Sequence, residues 1–249
     1  MNALIFFPDE VSADGVAVIR GERAARVNRE HALTPGITIT AAVRGGHIGS
    51  ATLEAVSPTE IRCRVRFDRE PPPRVDVELI VAVPRPQTVK KLIHVAVTLG
   101  LQRLHFIRTL HTVKSYLQSS VLTPEAIEEE VVRGLAQAVD SRAPTIEIHR
   151  SFESFVEEVL PTIVANERGC VLADTHAAPR IGAVVFPPLK NAALAVGPES
   201  GWSDFERERF IHHGFKAVSL GPRMLRVEVA ATVGLAELGL VLGRFGRAS

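Results

Sequence analysis

The sequence predicts an α/β protein with a parallel sheet, preceded by a small β domain. Two short apolar strands, Ala192–Val196 and Ala217–Leu220, each end in a Gly-Pro turn and are each followed by a helix. Another apolar strand, Val75–Val83, is followed by an amphipathic helix and a further strand, which together make a βαβ unit. The first third of the chain contains short β-type runs separated by turns instead.

Composition limits the classes of protein that this chain can be. With 249 residues, 46% of them hydrophobic, it can bury a full core and form two domains. We place the domains at 1–73 and 74–249, because Pro71-Pro72-Pro73 favours a stiff, extended linker. A net charge of +1 excludes a globally polycationic protein.

The cysteines and the N-terminus restrict the chain further. Cys63 and Cys170 are isolated, which argues against a disulfide framework and excludes a CxxC metal site, and we assign no metal. The N-terminus has no basic n-region typical of a signal peptide. No segment approaches the roughly twenty apolar residues of a membrane span. We therefore expect a soluble, cytoplasmic protein with no membrane contact.

The first domain combines β-type runs with two groups of arginines. The runs are Ile37–Val43, His47–Ala55 and Glu60–Phe67, a pattern typical of a meander or barrel. One group of arginines lies on or beside a predicted helix, Glu22–Glu30, and the other alternates along the third strand. The arginines of both groups are Arg20, Arg23, Arg26, Arg29, Arg62, Arg64 and Arg66. They suit phosphate contacts with a nucleic acid, although arginine is also simply the usual cation of this chain.

The second domain alternates strands and helices. Beyond the strand at Val75–Val83, the predicted elements are the helix Thr88–Leu99, the strand Leu104–Ile107, the helices Glu125–Val139 and Phe152–Leu160, and the strand Cys170–Ala173. Ser203 and Glu206 form a capping box at the start of a helix that ends before Gly214. The two Gly-Pro loops therefore lie at the carboxyl edge of a parallel sheet, where α/β proteins bind ligands. Neither loop is a nucleophile elbow or a P-loop.

The residues of these two loops carry a resemblance to a known family. GPESGWSDFE, followed by LGPRMLRVEVA, resembles the paired signature of the RsmE-type RNA methyltransferases, a branch of the SPOUT superfamily. The resemblance implies an α/β domain whose C-terminal segment forms a trefoil knot, preceded by a PUA-like β-barrel that contacts rRNA. It also implies RNA contacts from the segment Ala136–Pro144, with Gln137 and Arg142 as candidates.

The resemblance further implies a cofactor, a substrate and an assembly. The cofactor is S-adenosylmethionine, and the acceptor is N3 of a uridine in small-subunit (16S) rRNA, either free or in the assembled small subunit. The residues implied to bind the cofactor are Leu172, Val196, Gly197, Pro198, Gly201, Leu220, Gly221, Met224 and Leu225. Family members form homodimers through the knot region. The predicted helix Glu228–Leu240 suits such an interface because it is apolar on nearly all sides, unless one subunit encloses it.

Methyl transfer to N3 requires loss of a proton and stabilisation of the negative charge on uracil. Arg226 is our candidate for the stabilising guanidinium. Glu199 or Glu228 could hold that arginine or accept the proton, and structural pairing remains an alternative.

The chain also departs from the family pattern. The differing positions are Thr98, Ala136, Asp140, Ser200, Val227 and Val229. Ser200 replaces a glycine of the family pattern, and serine is unfavourable there only if the position requires a positive φ. Two alternatives stay open: an RNA-binding relative with weak or lost catalysis, and a methyltransferase for a different RNA nucleotide.

Overall fold

A computed structural model describes residues 2–31, 33–165, 169–185 and 191–243, and it separates into two compact units. The first unit comprises Met1–Pro73 together with Glu129–Ala143, and the second comprises Arg74–Glu128 together with Pro144–Ser249. A linear division after residue 73 therefore leaves out one segment of the first unit. Within that unit, the backbone amides of Asn2 and Ala3 both donate to the carbonyl oxygen of Ala136.

The first unit is built on a five-stranded sheet. Its elements are β1 (Leu4–Phe6), β2 (Val16–Arg20), α1 (Gly21–Glu30), β3 (Thr38–Val43), β4 (Ile48–Ser57) and β5 (Glu60–Arg69), with a 3₁₀ turn at Pro8–Glu10. The strand order is β1-β3-β4-β5-β2, and only the β1–β3 pair is parallel. This sheet confirms the predicted small β domain.

Strand β5 has the predicted alternation of buried and exposed side chains. Ile61, Cys63 and Val65 are buried in the core, whereas the three arginines between and after them are exposed. Burial, followed by the charge of Glu54, raises the pKa of Cys63 to about 11. This thiol is therefore protonated at neutral pH and belongs to the core of the unit.

The second unit alternates strands and helices along the chain. Its elements are β6 (Val75–Ala82), α2 (Pro86–Thr98), β7 (Leu101–Ile107), α3 (Lys114–Leu117), a 3₁₀ turn (Ser120–Leu122), α4 (Pro124–Ala138, from Glu129 onwards part of the first unit), β8 (Thr145–His149), α5 (Phe152–Ser154), a π-helical turn (Phe155–Val159), α6 (Leu160–Val164), β9 (Gly169–Ala173), α7 (Ile181–Val184), β10 (Ala192–Val196), α8 (Asp204–His212), β11 (Lys216–Val218) and α9 (Val227–Val241). None of the described helices is both long enough and apolar enough to cross a membrane.

The strands of this unit form one parallel sheet in the order β11-β9-β10-β6-β7-β8. Every residue of β10 is buried, as expected for an apolar strand with both faces covered. At the carboxyl ends, Val196 of β10 and Val218 of β11 both pair in register with Ala173 of β9. The loops that follow these three strands therefore begin at the same level.

Several predicted boundaries were wrong, among them one in β11, one in β7 and one in the helical segment that begins at Phe152. Strand β11 ends at Val218 and not at Leu220, because the amide of Ser219 leaves the sheet to donate to the carbonyl of Pro179 at 2.8 Å. Strand β7 starts at Leu101, three residues before the predicted start. The helical segment predicted to end at Leu160 continues as α6 to Val164.

Candidate functional site

An open pocket lies at the carboxyl ends of β9, β10 and β11. Its volume is about 820 Å³, counting the solvent at its mouth. The lining residues come from the three strand ends with their loops and from the start of α9. They are Ala173, Asp174, Thr175, His176, Val196, Gly197, Pro198, Glu199, Ser200, Gly201, Trp202, Ser219, Leu220, Gly221, Arg223, Met224, Leu225, Val227 and Ala230.

The predicted cofactor-binding residues lie in this lining, with one exception. Leu172 is fully buried in the core of the unit and does not line the pocket. The next residue, Ala173, lines it instead, because successive side chains of a strand point to opposite faces. Among the departures from the family pattern, Val227 lines the pocket and Val229 does not.

Trp202 is a pocket residue that sequence reasoning missed. Its Nε1 donates a hydrogen bond to the carbonyl of Ala173 at 3.1 Å, which joins the loops after β9 and β10. A Cβ atom at Gly197 would lie 3.1–3.2 Å from atoms of the indole ring, so only glycine fits without displacing that ring. The signal in the sequence was that Trp202, the only tryptophan of the chain, directly follows the GPESG turn.

The loop after β10 has one residue in the left-handed region. Gly201 has φ +79°, whereas Ser200 is not among the residues with positive φ. Serine at that position is therefore compatible with the backbone.

The predicted capping box at the start of α8 is confirmed. The amide of Ser203 donates to Glu206 Oε2 at 3.0 Å, and the amide of Glu206 donates to Ser203 Oγ at 3.3 Å. The buried Glu206 carboxylate also accepts a 2.6 Å hydrogen bond from the amide of Leu110. This side chain thereby fixes the start of α8 to the segment after β7.

Arg226 is the N-cap residue of α9 and is exposed, but it does not line the pocket. Within the described ranges it forms no ion pair, so neither candidate carboxylate holds it in that way. Glu199 lines the pocket with its Oε1 4.0 Å from Arg85 Nε. Arg223 is the arginine that lines the pocket.

Glu228 pairs with a lysine of helix α2. Its Oε1 lies 2.8 Å from Lys91 Nζ. That hydrogen bond is the largest cause that lowers the pKa of Glu228, and the charges of Lys91 and Arg226 act in the same direction. A carboxylate with a lowered pKa is a weaker proton acceptor.

The segment after β9 contains two further polar groups in the pocket. Asp174 Oδ1 accepts a 2.9 Å hydrogen bond from the amide of His176, whose side chain is exposed. Asp174 Oδ2 lies 3.8 Å from Arg207 Nη1 on α8. Asp174 is therefore already oriented by partners on two elements.

Two of the predicted RNA-contacting arginines are held inside the first unit. Arg23 pairs with Glu10, donates to the carbonyl of Ile5 and lies over the ring of Phe7. Arg142 donates to the carbonyls of Pro71 and Pro72 and so holds the proline segment.

The other predicted RNA-contacting residues reach the surface of the first unit. The ion pairs are Arg20 with Glu60 (3.2 Å), Arg26 with Glu129 (2.8 Å), Arg62 and Arg64 with Glu54 (3.4 and 3.1 Å), and Arg66 with Asp68 (3.1 Å). Arg29 is exposed and forms no ion pair with any described residue. The side chain of Gln137 is exposed as well.

Parallel strands whose glycine-containing loops surround a pocket at their carboxyl edge define an α/β ligand-binding enzyme domain. The family model for the RNA methyltransferase domain matches residues 70–239. That match spans more than half of the chain. The chain therefore belongs to the RNA methyltransferase family.

Individual relatives agree with this assignment. The chain is 28% identical over 241 residues to the ribosomal RNA small subunit methyltransferase E of Treponema pallidum, covering 93% of this chain and 88% of that protein. A crystal structure of ribosomal RNA small subunit methyltransferase E from Neisseria gonorrhoeae, bound to S-adenosyl methionine, matches with a TM-score of 0.75 at 20% identity and covers 96% of this chain and 97% of that one.

A second solved structure supports the fold. A putative methyltransferase from Legionella pneumophila, in complex with its bound cofactor, matches with a TM-score of 0.76 at 21% identity, covering 96% of this chain and 97% of that one. Together these structures confirm the predicted fold, an α/β domain preceded by a small β domain. The trefoil knot itself stays a prediction.

We expect Glu206→Ala to destabilise the second unit by about 2–4 kcal/mol, because it leaves the amides of Ser203 and Leu110 without their acceptor. Urea unfolding followed by circular dichroism measures the change. The matched control is Glu208→Ala on the exposed side of α8, which should change the free energy of unfolding by less than about 0.5 kcal/mol. Equal effects of the two changes would contradict the role given to Glu206.

Proposed function

We propose that this protein is an S-adenosylmethionine-dependent methyltransferase that acts on N3 of a uridine in small-subunit (16S) rRNA. The observation that carries the proposal is the pocket of three loops at the carboxyl edge of β9, β10 and β11. Support also comes from the family assignment and from the names of the relatives that match over most of their length. A substrate of this kind is met in the cytoplasm.

The residues of the pocket suit this cofactor. S-adenosylmethionine, when bound, supplies an electrophilic methyl group on a sulfonium centre. Gly197, Gly201 and Gly221 leave backbone N–H and C=O groups accessible to a ligand with an adenine edge, a ribose and a carboxylate. Leu220, Met224 and Leu225 offer apolar surface beside them.

Arg226 is the group that we assign to the acceptor. The N3–H of uridine is largely protonated at neutral pH, so charge on the uracil must be stabilised as the proton leaves. An exposed guanidinium at the N-cap of α9, without a carboxylate partner in the described chain, is available for that task. The uridine must also be unpaired or extruded, because N3 lies on the Watson–Crick edge.

Of the two carboxylates, Glu199 is better suited to accept the proton. It lines the pocket, whereas Glu228 has a lowered pKa and is held by Lys91. In this proposal Glu228 positions Lys91. Arg85, Lys91 and Arg223 then place positive charge on or near the pocket for contacts with RNA phosphates.

The first unit supplies further RNA contacts in this proposal. A shallow depression is lined by Arg26, Asn28 and Arg29 of α1 and by Ser57 and Pro58 at the end of β4. The lining also includes Glu22 and the apolar residues Ala25, Leu33 and Val56, and its two arginines and Asn28 suit contacts with a nucleic-acid backbone. The arginine stripe of β5 is a second exposed cationic surface on the same unit.

Helix α9 supports a homodimer. Ala231, Leu235 and Leu238 are buried, but Val229 and Leu240 are 42% and 72% exposed. These two lie on one stripe with Val233 and Ala236, which are partly buried. An apolar stripe left exposed on a monomer marks an interface, and we propose that a second copy of the chain covers it.

We expect S-adenosylmethionine to bind with micromolar-scale affinity, on the order of −8 kcal/mol by calorimetry. Because Trp202 lines the pocket and is the only tryptophan, its fluorescence should change with the same midpoint. Gly197→Val should abolish both signals by displacing the indole ring. Gly182→Ala, whose new methyl group meets only Val241 at 4.0 Å, should leave both unchanged. A wild-type protein that does not bind the cofactor defeats the proposal.

We expect Arg226→Ala to methylate small-subunit rRNA or assembled subunits at least a hundredfold more slowly, a loss of about 3–4 kcal/mol. Cofactor affinity should change little, because the guanidinium serves the uracil. The turnover of Arg223→Ala, measured in the same assay, tests whether Arg223 stabilises the charge on the uracil in place of Arg226. Near-normal turnover by Arg226→Ala would move the role elsewhere.

Mass mapping of the rRNA nucleosides in the same assay separates the alternatives. Methyl transfer to N3 of a uridine agrees with the proposal. Transfer to another nucleotide identifies a different specificity. Cofactor binding without transfer to any rRNA indicates a relative that has lost catalysis.

We expect the wild-type protein to sediment as a dimer at micromolar concentration and Leu240→Glu to sediment as a 27.0 kDa monomer, because the charge is placed in the apolar stripe. Ile211→Glu is the control, since Ile211 is also exposed but lies on α8. A wild-type protein that is monomeric throughout this range contradicts the interface.

A further inference from the structure

Four side chains with titratable groups meet on one face of the parallel sheet, away from the loops of the pocket. His105 lies on β7, Glu147 and His149 lie on β8, and Glu78 lies on β6. His105 is in register with Glu147, and His149 follows Glu147 by two residues, so the three side chains share a face. His105 and Glu78 are almost fully buried.

Three atoms of this cluster have the spacing of metal ligands. His105 Nδ1 is 3.1 Å from His149 Nε2 and 3.3 Å from Glu147 Oε2. His149 Nε2 is 3.5 Å from the same Glu147 oxygen. Ligand atoms at about 2.0–2.2 Å from a tetrahedral zinc ion are separated by about 3.3–3.5 Å, so the triangle matches one face of that tetrahedron.

We propose that His105 Nδ1, His149 Nε2 and Glu147 Oε2 bind a zinc ion, with water as the fourth ligand. Two imidazoles and one carboxylate form a common zinc donor set, whereas Mg²⁺ prefers oxygen ligands in octahedral geometry. The sequence alone predicts no metal, since its cysteines are isolated. The three ligands come together only through the pairing of β7 with β8.

The surroundings of the cluster orient these ligands. His105 Nε2 lies 3.1 Å from Glu78 Oε2, so an Nε2–H group can donate to that buried carboxylate and leave Nδ1 with a free lone pair. Arg103 Nη1 contacts the other oxygen of Glu147, Oε1, at 3.1 Å, which leaves Oε2 for the ion.

An aromatic ring covers part of the cluster, and solvent reaches two of its side chains. The ring of Phe155 packs against His149 and His105 with centroid distances of 4.9 and 5.9 Å. The side chains of Glu147 and His149 remain 33% and 16% exposed, which gives an ion a way in.

The position of the proposed zinc site in the sheet indicates an effect on stability. Among the strands that the structure describes, β8 is an edge strand that pairs only with β7, so an ion bound by residues of both strands links the edge to the sheet. The pocket lies at β9, β10 and β11, towards the opposite edge. Zinc therefore stabilises this edge and takes no part in methyl transfer.

The test uses the full-length protein after treatment with a chelator. Calorimetry should show one Zn²⁺ bound per chain with micromolar or tighter affinity, and no binding of Mg²⁺. At about one hundred times the dissociation constant, Zn²⁺ should raise the thermal midpoint of unfolding by several degrees. Co²⁺ bound in the same place should give the visible absorption spectrum of a four-coordinate ion.

Variants locate the ion. His149→Gln and Glu147→Gln, both partly exposed positions, should keep the fold and weaken Zn²⁺ binding at least a hundredfold. Glu78→Gln should weaken it about 10–100-fold, because it removes the charge behind His105 while the three ligands remain. His212→Gln is the control, since it disrupts the contact between His212, which is exposed, and His213 at the end of α8.

The outcomes are distinct. The proposal is overturned if the wild-type protein does not bind Zn²⁺, which would leave the cluster as a hydrogen-bond network. It is also overturned if binding survives in His149→Gln or disappears in His212→Gln. Failure of cofactor binding in the separate titration with S-adenosylmethionine would leave this proposal intact.

Discussion

The register of the parallel ladder formed by β9, β10 and β11 is the constraint on which the pocket depends. Val196 and Val218 both pair with Ala173, so the three loops leave the sheet at one level. β10 is buried along its whole length, and a slip of one residue would exchange its two faces. Packing of β10 in the core therefore fixes the register of the three strands. The register in turn places the three loops around one pocket.

A few directional hydrogen bonds then join the loops to one another. The amide of Asp174 donates to the carbonyl of Val218 at 2.9 Å, and Trp202 Nε1 donates to the carbonyl of Ala173 at 3.1 Å. These bonds fix the backbone at the ends of the loops and so orient the N–H and C=O groups that line the pocket. Preorganised groups of this kind do not have to reorient during a reaction, which is where much of their catalytic value lies.

The features that the sequence predicted well are those whose causes lie within about ten residues. The capping box of Ser203 and Glu206 and the alternation along β5 are examples. Features that depend on distant partners were missed. Spacing assigned Arg23 to the same face as other arginines, but it could not show that Glu10 and Ile5 occupy its guanidinium. The family resemblance likewise implied Leu172 as a cofactor-binding residue, but packing buries Leu172 in the core and Ala173 lines the pocket.

The arginines of the first unit differ in whether their partners are exposed or enclosed, and this difference decides which of them are available to RNA in the proposed function. The ion pairs of Arg62, Arg64 and Arg66 are exposed, and such pairs contribute only about 0–1 kcal/mol each. RNA phosphates can replace their carboxylates at little cost. Arg23 and Arg142 instead hold backbone carbonyls of their own unit, so recruiting them would disturb the fold. A net charge of +1 is therefore a poor guide, because affinity depends on which arginines can exchange partners.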